Sequence, residues 1–255
     1  MTVFELYEKL TERVPKSLSM KWDGDGFEIC PDRDREVKKV LIALDVTNDV
    51  IDRAVDGGFD AIVAHHPFLF NGLKEISVLS ADGARAVKLI KAGVSVMTFH
   101  TRLDSVDGGV NSVFGELLGL SGLELVEFNG NSVVRVGELE DEMSAEDFAR
   151  LVKDKLACPA VFLSEASGRV KRVALIGGSG GSEMGAANAY GADTFITGEL
   201  KHHEMLSARD MGVNLIVAGH FYTENPVCKA VEGIVCEIDP EIECEIFFAD
   251  RVKVF

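Results

Sequence analysis

The run Lys38-Lys39-Val40-Leu41-Ile42-Ala43-Leu44-Asp45 recurs in outline as Lys171-Arg172-Val173-Ala174-Leu175-Ile176-Gly177-Gly178, an apolar strand led by a basic pair each time. Eighteen residues after Val40 comes Gly58, opening Gly58-Phe59-Asp60-Ala61-Ile62-Val63-Ala64. Eighteen residues after Val173 comes Gly191, opening Gly191-Ala192-Asp193-Thr194-Phe195-Ile196-Thr197, with no gap needed. A fixed internal spacing is a strong constraint on a fold, because each copy must be the same supersecondary unit. Residues 48–56 and 182–190, between the paired strands, read as short helices. Their Ser, Thr, Asn and Gly starts suit N-caps, and the glycines that follow suit C-caps. A second helix-Gly-strand element follows in each half, over 86–99 with Gly93 and over 205–219 with Gly212. Buried apolar strands alternating with helices call for a mostly parallel sheet covered on both faces. The expected fold class is therefore α/β, with two similar α/β domains related by the repeat.

The turn-rich stretch from Ser121 to Gly137, with Gly122, Asn129, Gly130 and Asn131, suits a boundary. The expected halves are 1–125 and 126–255, and a last strand at about 240–255 is open to pairing with the first half. Ser144 should N-cap a helix running to Leu156, with Asp147 at its third position.

Composition narrows the function classes. A chain of 255 residues, 47% hydrophobic, can bury one large core or two smaller ones. No apolar run approaches the ~18 residues of a membrane span. The N-terminus, Met1-Thr2-Val3-Phe4-Glu5, has neither a basic segment nor a signal-type apolar stretch, so no membrane association and a cytoplasmic location are expected. The five cysteines form no C-x-x-C pair and read as reduced, mostly buried thiols. A net charge of −16 disfavours nucleic acid, whose non-specific binding relies on Lys and Arg displacing counterions.

All six histidines fall in four short clusters, three of which close an apolar strand-like run. Ala61-Ile62-Val63-Ala64 runs into His65-His66-Pro67. Val94 to Phe99 runs into His100-Thr101-Arg102-Leu103-Asp104. Leu215 to Gly219 runs into His220, with Glu224 four residues on. Ligands of α/β proteins bind just outside the carboxyl ends of strands. Adjacent strand residues point to opposite sides, and Pro67 restrains His66, so the two rings can diverge and serve two metals. His220 and Glu224, at i and i+4, share one helical face. The plainer readings are hydrogen-bonded polar residues at a strand mouth and a helix-start hydrogen bond. His65, His66, Asp104, His220 and Glu224 are too many ligands for one closed tetrahedral site and suit two metals with open positions. Because they come from both halves, such a dinuclear site would lie in the cleft between them. The ligand mix suits two divalent transition metal ions, with zinc, iron, manganese and cobalt equally served.

Other residues qualify as cleft or catalytic candidates. Gly177-Gly178-Ser179-Gly180-Gly181-Ser182 is either an anion-binding loop or a plain turn. Glu199 and His100 are candidate proton-transfer residues. Ser179, Lys201, His202 and His203 are candidate substrate contacts, with ordinary surface polarity the alternative for the two histidines.

Taken together, Ala64-His-His-Pro67, His100-Thr-Arg-Leu-Asp104 with Gly108-Gly-Val-Asn111, Thr197-Gly-Glu-Leu-Lys-His-His203 and Gly219-His-Phe-Tyr-Thr-Glu224 resemble the Nif-three-like dinuclear metal proteins, labelled GTP cyclohydrolase 1 type 2 homologues. Trp22-Asp23 resembles that family's Trp-Asp element, whereas Gly24-Asp25-Gly26 and Arg102 depart from its pattern. The resemblance spans nearly the whole chain, in the short form without a mid-chain extra domain. It implies a metal pair between two α/β domains, with His65, His66, Asp104, His220 and Glu224 as ligands. It also implies a toroidal homohexamer. A metal-dependent hydrolase acting on a small phosphorylated or nucleotide-like molecule is the leading expectation. A non-catalytic metal-handling protein acting through partners is the alternative.

Overall fold

The structure, a computed structural model, describes residues 1–249 and 252–254. In chain order the first elements are α1 (Val3–Arg13), β1 (Phe27–Ile29), β2 (Lys39–Ala43), α2 (Asn48–Asp56), β3 (Ala61–Ala64), α3 (Ala81–Ala92), β4 (Ser95–Thr98) and α4 (Thr101–Ser105). Then come α5 (Val110–Leu117), β5 (Ser121–Phe128), β6 (Asn131–Ser144), α6 (Ala145–Lys155), β7 (Phe162–Ser164), β8 (Arg169–Leu175), α7 (Ala186–Ala189), β9 (Thr194–Thr197), α8 (His202–Asp210), β10 (Asn214–Val217) and α9 (His220–Glu224). The chain closes with α10 (Val227–Ile238) and β11 (Glu243–Ile246).

Two compact units result. One comprises Met1–Leu103 and the chain from Cys228 through β11; the other is centred on Asp104–Val227. The seams thus fall inside α4 and at the start of α10, and not at 125/126, which lies within β5. The turn-rich stretch expected to be a boundary is instead a β5–β6 hairpin, with Phe128 paired to Asn131. Asn129 and Gly130 occupy its two-residue loop at φ 53° and 80°. Asn-Gly is a strong hairpin signal because a type I′ turn needs φ > 0 at both positions.

The first unit is a five-stranded sheet in the order β1-β4-β3-β2-β11. β4-β3, β3-β2 and β2-β11 run parallel, and β1 is an antiparallel edge. Every residue of β3 and β4 is buried, as expected of strands covered on both faces. Leu41, Ile62 and Val96 pack with Val50 and Ile51 of α2 and Ala86 and Leu89 of α3. Thr47 caps α2 by accepting from the Val50 amide, and Gly93 ends α3 in the left-handed conformation at φ 71°. The C-terminal strand pairs with β2, in the first unit. Residues 250, 251 and 255 of its expected span lie outside the described residues.

The second unit is a six-stranded sheet in the order β5-β6-β8-β9-β10-β7. Only β8-β9 and β9-β10 are parallel, so this sheet is mixed where a mostly parallel one was expected. Its core joins Phe114, Phe148 and Val152 to Leu175, Ile196 and Ile216. Ser144 caps α6 by accepting from the Asp147 amide. The helix expected over 182–190 is a 3-10 turn, Gly181–Glu183, followed by the single turn α7. Gly185, between the two turns, has helical backbone, and glycine there has a packing reason: a Cβ would lie 2.7 Å from the Phe128 ring.

All five cysteines are free; Cys158 and Cys228 are buried, while Cys30 and Cys236 are exposed, which corrects the expectation of mostly buried thiols. Among the described residues no helix is long and apolar enough to cross a membrane.

Candidate metal centre

In the first unit, three imidazoles gather at the carboxyl ends of β3 and β4. His65 and His66 follow β3 directly, and His100 follows β4 by two residues. Ring centroids lie 4.7 Å apart for His65–His66, 5.3 Å for His65–His100 and 5.7 Å for His66–His100. One ring nitrogen of each lies within 4.8 Å of the others.

The Nδ1 atoms share a pattern. His65 Nδ1 is 3.0 Å from the Phe99 carbonyl oxygen, His66 Nδ1 is 2.8 Å from Asp45 Oδ1, and His100 Nδ1 is 3.2 Å from Asp23 Oδ1. An acceptor at Nδ1 places the proton there and leaves the lone pair of the neutral ring on Nε2. A carbonyl or carboxylate behind an imidazole is the arrangement that orients metal-ligating histidines and raises their basicity.

The loop before β1 fixes His100. Asp23 accepts from the Thr101 amide at 2.9 Å and from its hydroxyl at 2.5 Å. Burial alone would raise the Asp23 carboxyl, but hydrogen bonds from His100 and Thr101 outweigh it and hold the group well below the usual range. Asp25 Oδ2 accepts from the His100 amide at 3.0 Å and from Arg102 Nε at 2.6 Å. The Asp25 and Arg102 side chains are both fully buried. Arg102 also donates to the carbonyls of Val14 and Thr98, each at 3.2 Å. Asp25, within the Gly24-Asp25-Gly26 segment, and Arg102 are thus partners of each other.

The second unit builds its donors on glycines. Gly219, at φ 88°, turns the chain from β10 into α9. His220 Nδ1 lies 3.1 Å from Glu199 Oε1, and His220 Nε2 lies 2.9 Å from Glu224 Oε2. Asp104 and Glu224 each offer a carboxylate oxygen within 4.8 Å of the other's. Room for Glu224 comes from Gly178, where a Cβ would stand 2.2 Å from Glu224 Oε1. The first two amides of this glycine turn have protein partners. Gly177 donates to Asn111 Oδ1 at 2.7 Å and Gly178 to Thr223 Oγ1 at 3.1 Å, so these two amides serve the turn. Buried Asn111 also donates to the carbonyls of Asp104 and Val133, fixing the backbone at Asp104.

The remaining candidates divide. Ser179, Glu199 and Lys201 line one cavity of about 560 Å³ with Ser182 and Glu204. His202 and His203 stand exposed at the start of α8 and are not among its lining residues. Asp104 falls in the second unit and not the first half.

The Duf34/NIF3 (NGG1p interacting factor 3) family model matches residues 1–253. The chain belongs to the Duf34/NIF3 family. It is 31% identical to the GTP cyclohydrolase 1 type 2 homolog of Clostridium perfringens, over 95% of each chain. A Staphylococcus aureus protein of solved structure is similar with TM-score 0.91 and 28% identity, covering 100% of this chain and 99% of its own. Reduced HcgD from Methanocaldococcus jannaschii is similar with TM-score 0.83 and 25% identity, over 96% and 97% of the two chains.

In this Duf34/NIF3 chain the sequence reading missed the residues that orient the imidazoles. Asp45 ends the first repeat strand, one position past Leu44, and was visible there as an acid at a strand mouth. Asp23 sits in the Trp-Asp element without a stated role. Nothing in the sequence marks the Phe99 carbonyl, which is backbone.

Proposed function

We propose that this protein is a metal-dependent hydrolase. In this reading His65, His66, Asp104, His220 and Glu224 hold two divalent transition metal ions, and the substrate is a small phosphorylated or nucleotide-like molecule. The observation that carries it is the shared orientation of the imidazoles. Phe99 O, Asp45 and Asp23 each occupy an Nδ1 in the first unit, and Glu199 does so for His220 in the second. The donors fit such ions: imidazole nitrogens and carboxylate oxygens, with no thiolate among them, suit borderline to hard first-row metals. Ions so bound supply Lewis acidity and, from water, a strong nucleophile near neutral pH.

The chain's own groups cover the rest of the chemistry. His100, with Nδ1 against Asp23, can hold or release a proton at Nε2. Glu199 orients His220 and lines the cavity shared with Ser179 and Lys201. A lysine and a hydroxyl beside two carboxylates suit a substrate bearing both an anionic group and hydrogen-bond donors. The name of the Clostridium perfringens relative is in keeping with a nucleotide-like substrate.

Elemental analysis of protein purified anaerobically without chelator should find close to two transition metal ions per chain. His65→Ala and Glu224→Ala should lose metal while keeping the fold by circular dichroism. Metal content near zero in the parent protein, or unchanged in both variants, would refute the site. Loaded protein that turns over no member of a phosphate-ester and nucleotide panel would refute the hydrolase.

A further inference from the structure

Two of the largest exposed side chains of the first unit stand together beside His100. Trp22 is 61% exposed and Phe70 59%. Their ring centroids lie 6.1 Å apart at 66°, and each meets the His100 ring steeply, at 5.9 Å and 72° for Trp22 and 6.2 Å and 75° for Phe70. Single exposed apolar residues need no explanation, but paired aromatics at the rim of a polar cluster do.

Both rings stand next to pinned backbone. Trp22 precedes Asp23, whose amide donates to the Met20 carbonyl at 3.0 Å and whose carboxylate is bound to Thr101 and His100. Phe70 follows Phe68 and Leu69, whose amides donate to the two carboxylate oxygens of Glu28 at 2.8 and 3.0 Å. Exposed rings on fixed backbone lose little further freedom when a ligand stacks on them, which is what makes aromatic side chains effective recognition surfaces.

From this geometry we infer that Trp22 and Phe70 form an aromatic subsite for a planar heteroaromatic ring, such as a purine base, carried by the substrate, which stacks on one of the two rings and meets the other edge-on. The inference rests on the hydrolase reading for the identity of that substrate and deepens it. Aromatic faces accept any base, because every base has a π-face. The His100 imidazole adjoins both rings, so a heterocycle bound here lies beside a polar ring that its donors and acceptors can use and a plain aliphatic group cannot. A ring stacked here brings its attached sugar and phosphate next to His65 and His66, whose rings adjoin that of His100.

Trp22 is the single tryptophan of the chain, so its fluorescence reports this subsite directly. The probes are adenosine and guanosine 5′-monophosphate, with ribose 5-phosphate as the same sugar and phosphate lacking the ring. The full-length protein is titrated as purified. The nucleotides should quench Trp22 saturably and bind about tenfold or more tighter than ribose 5-phosphate. Phe70→Ala, and Trp22→Ala followed by calorimetry, should bring nucleotide affinity down to the ribose 5-phosphate level. Equal affinity for probes with and without the ring, or no effect of either substitution, overturns the subsite. So does Trp22 emission that shifts on dilution alone, which would show a second copy of the chain covering the corner. Ring-dependent binding without turnover would leave the subsite standing and sink the hydrolase. Metal-dependent turnover indifferent to Trp22→Ala would do the reverse.

Discussion

In the first unit Asp60 Oδ2 accepts from the amides of Lys38 and Lys39 at the start of β2; in the second, Asp193 Oδ2 accepts from those of Lys171 and Arg172 within β8. Val40 pairs with Ala61 and Val173 with Thr194, the same register in both copies. At the entry of the strands the two units are built alike, down to single hydrogen bonds. At the exit they diverge. β3 ends in His65-His66, with Asp45 of the neighbouring strand end behind His66. β9 ends in Gly198-Glu199, and its glutamate stands behind a histidine brought by α9. Gly178 takes the repeat position of Asp45, and Gly198 that of His65. A Cβ on Gly198 would lie 2.6 Å from the Gly178 carbonyl oxygen. The first unit therefore presents imidazoles on the strand end itself. The second clears its strand ends with glycine so that the helix after the last parallel strand can deliver His220 and Glu224. The scaffold bonds repeat because both copies must close the same sheet; at the mouths the backbone still pairs, His66 to Leu44 and Glu199 to Gly178, and it is the side chains that differ.

The largest test of this contrast is Asp25→Ala. Removing one partner of a fully buried pair strands the Arg102 charge, which should cost about 3–5 kcal/mol in urea denaturation and loosen His100 with it. A loss below about 1 kcal/mol would mean that the first mouth is not anchored through this pair. Next comes Gly178→Ala in the second unit. A methyl 2.2 Å from Glu224 Oε1, on a residue at φ 62°, combines overpacking with left-handed strain, about 3 kcal/mol together. Metal content should fall with it, since Glu224 must move. Full stability and full metal content would show that Glu224 does not need the space this glycine leaves.

What was legible in the sequence follows the same division. The repeat exposed β2, β3, β8 and β9, the glycines between them and the histidines at their ends, because buried strands and helix C-caps leave strong local patterns. The β5–β6 hairpin was hidden by the same signal that should have revealed it: Asn129-Gly130 marks turns and boundaries alike, and the alternation that decides between them is weak along the largely exposed β5. The unit seam inside α4 had no local signature, since long-range packing sets it, and Asp104 changed units as a result. At the centre, side chains with an obvious ligand chemistry were readable, whereas Asp23, Asp25 and Arg102 act across some 77 residues of sequence and become visible only when the loop before β1 is folded against α4.

Smaller effects test whether the entry clamps are equivalent. Asp60→Asn should cost about 2 kcal/mol and Asp193→Asn about 1 kcal/mol by thermal denaturation, the difference arising from Arg35, which adds a charged partner to Asp60 at 2.7 Å. Burial raises the Asp60 carboxyl, but the two amides and Arg35 together outweigh it and hold the group below its ordinary value of 3.8. A depressed acid stabilises the fold above that value and loses its contribution as pH falls through the folded one. The gap between the parent protein and Asp60→Asn should therefore be full near neutrality and shrink below about pH 4. A gap that widens on acidification would reverse the sign and rule out the clamp as charged. The smallest effect belongs to Asp107→Ala. Arg135 is buried like Arg102, but its carboxylate partner Asp107 is 94% exposed, and Arg135 also donates to the Ser105 carbonyl at 3.0 Å. Water already solvates that carboxylate, so its loss should cost under about 1 kcal/mol. If Asp107→Ala proved as damaging as Asp25→Ala, the arginines of the two mouths would be anchored alike, and the difference between a charge-locked first mouth and a glycine-cleared second one would disappear.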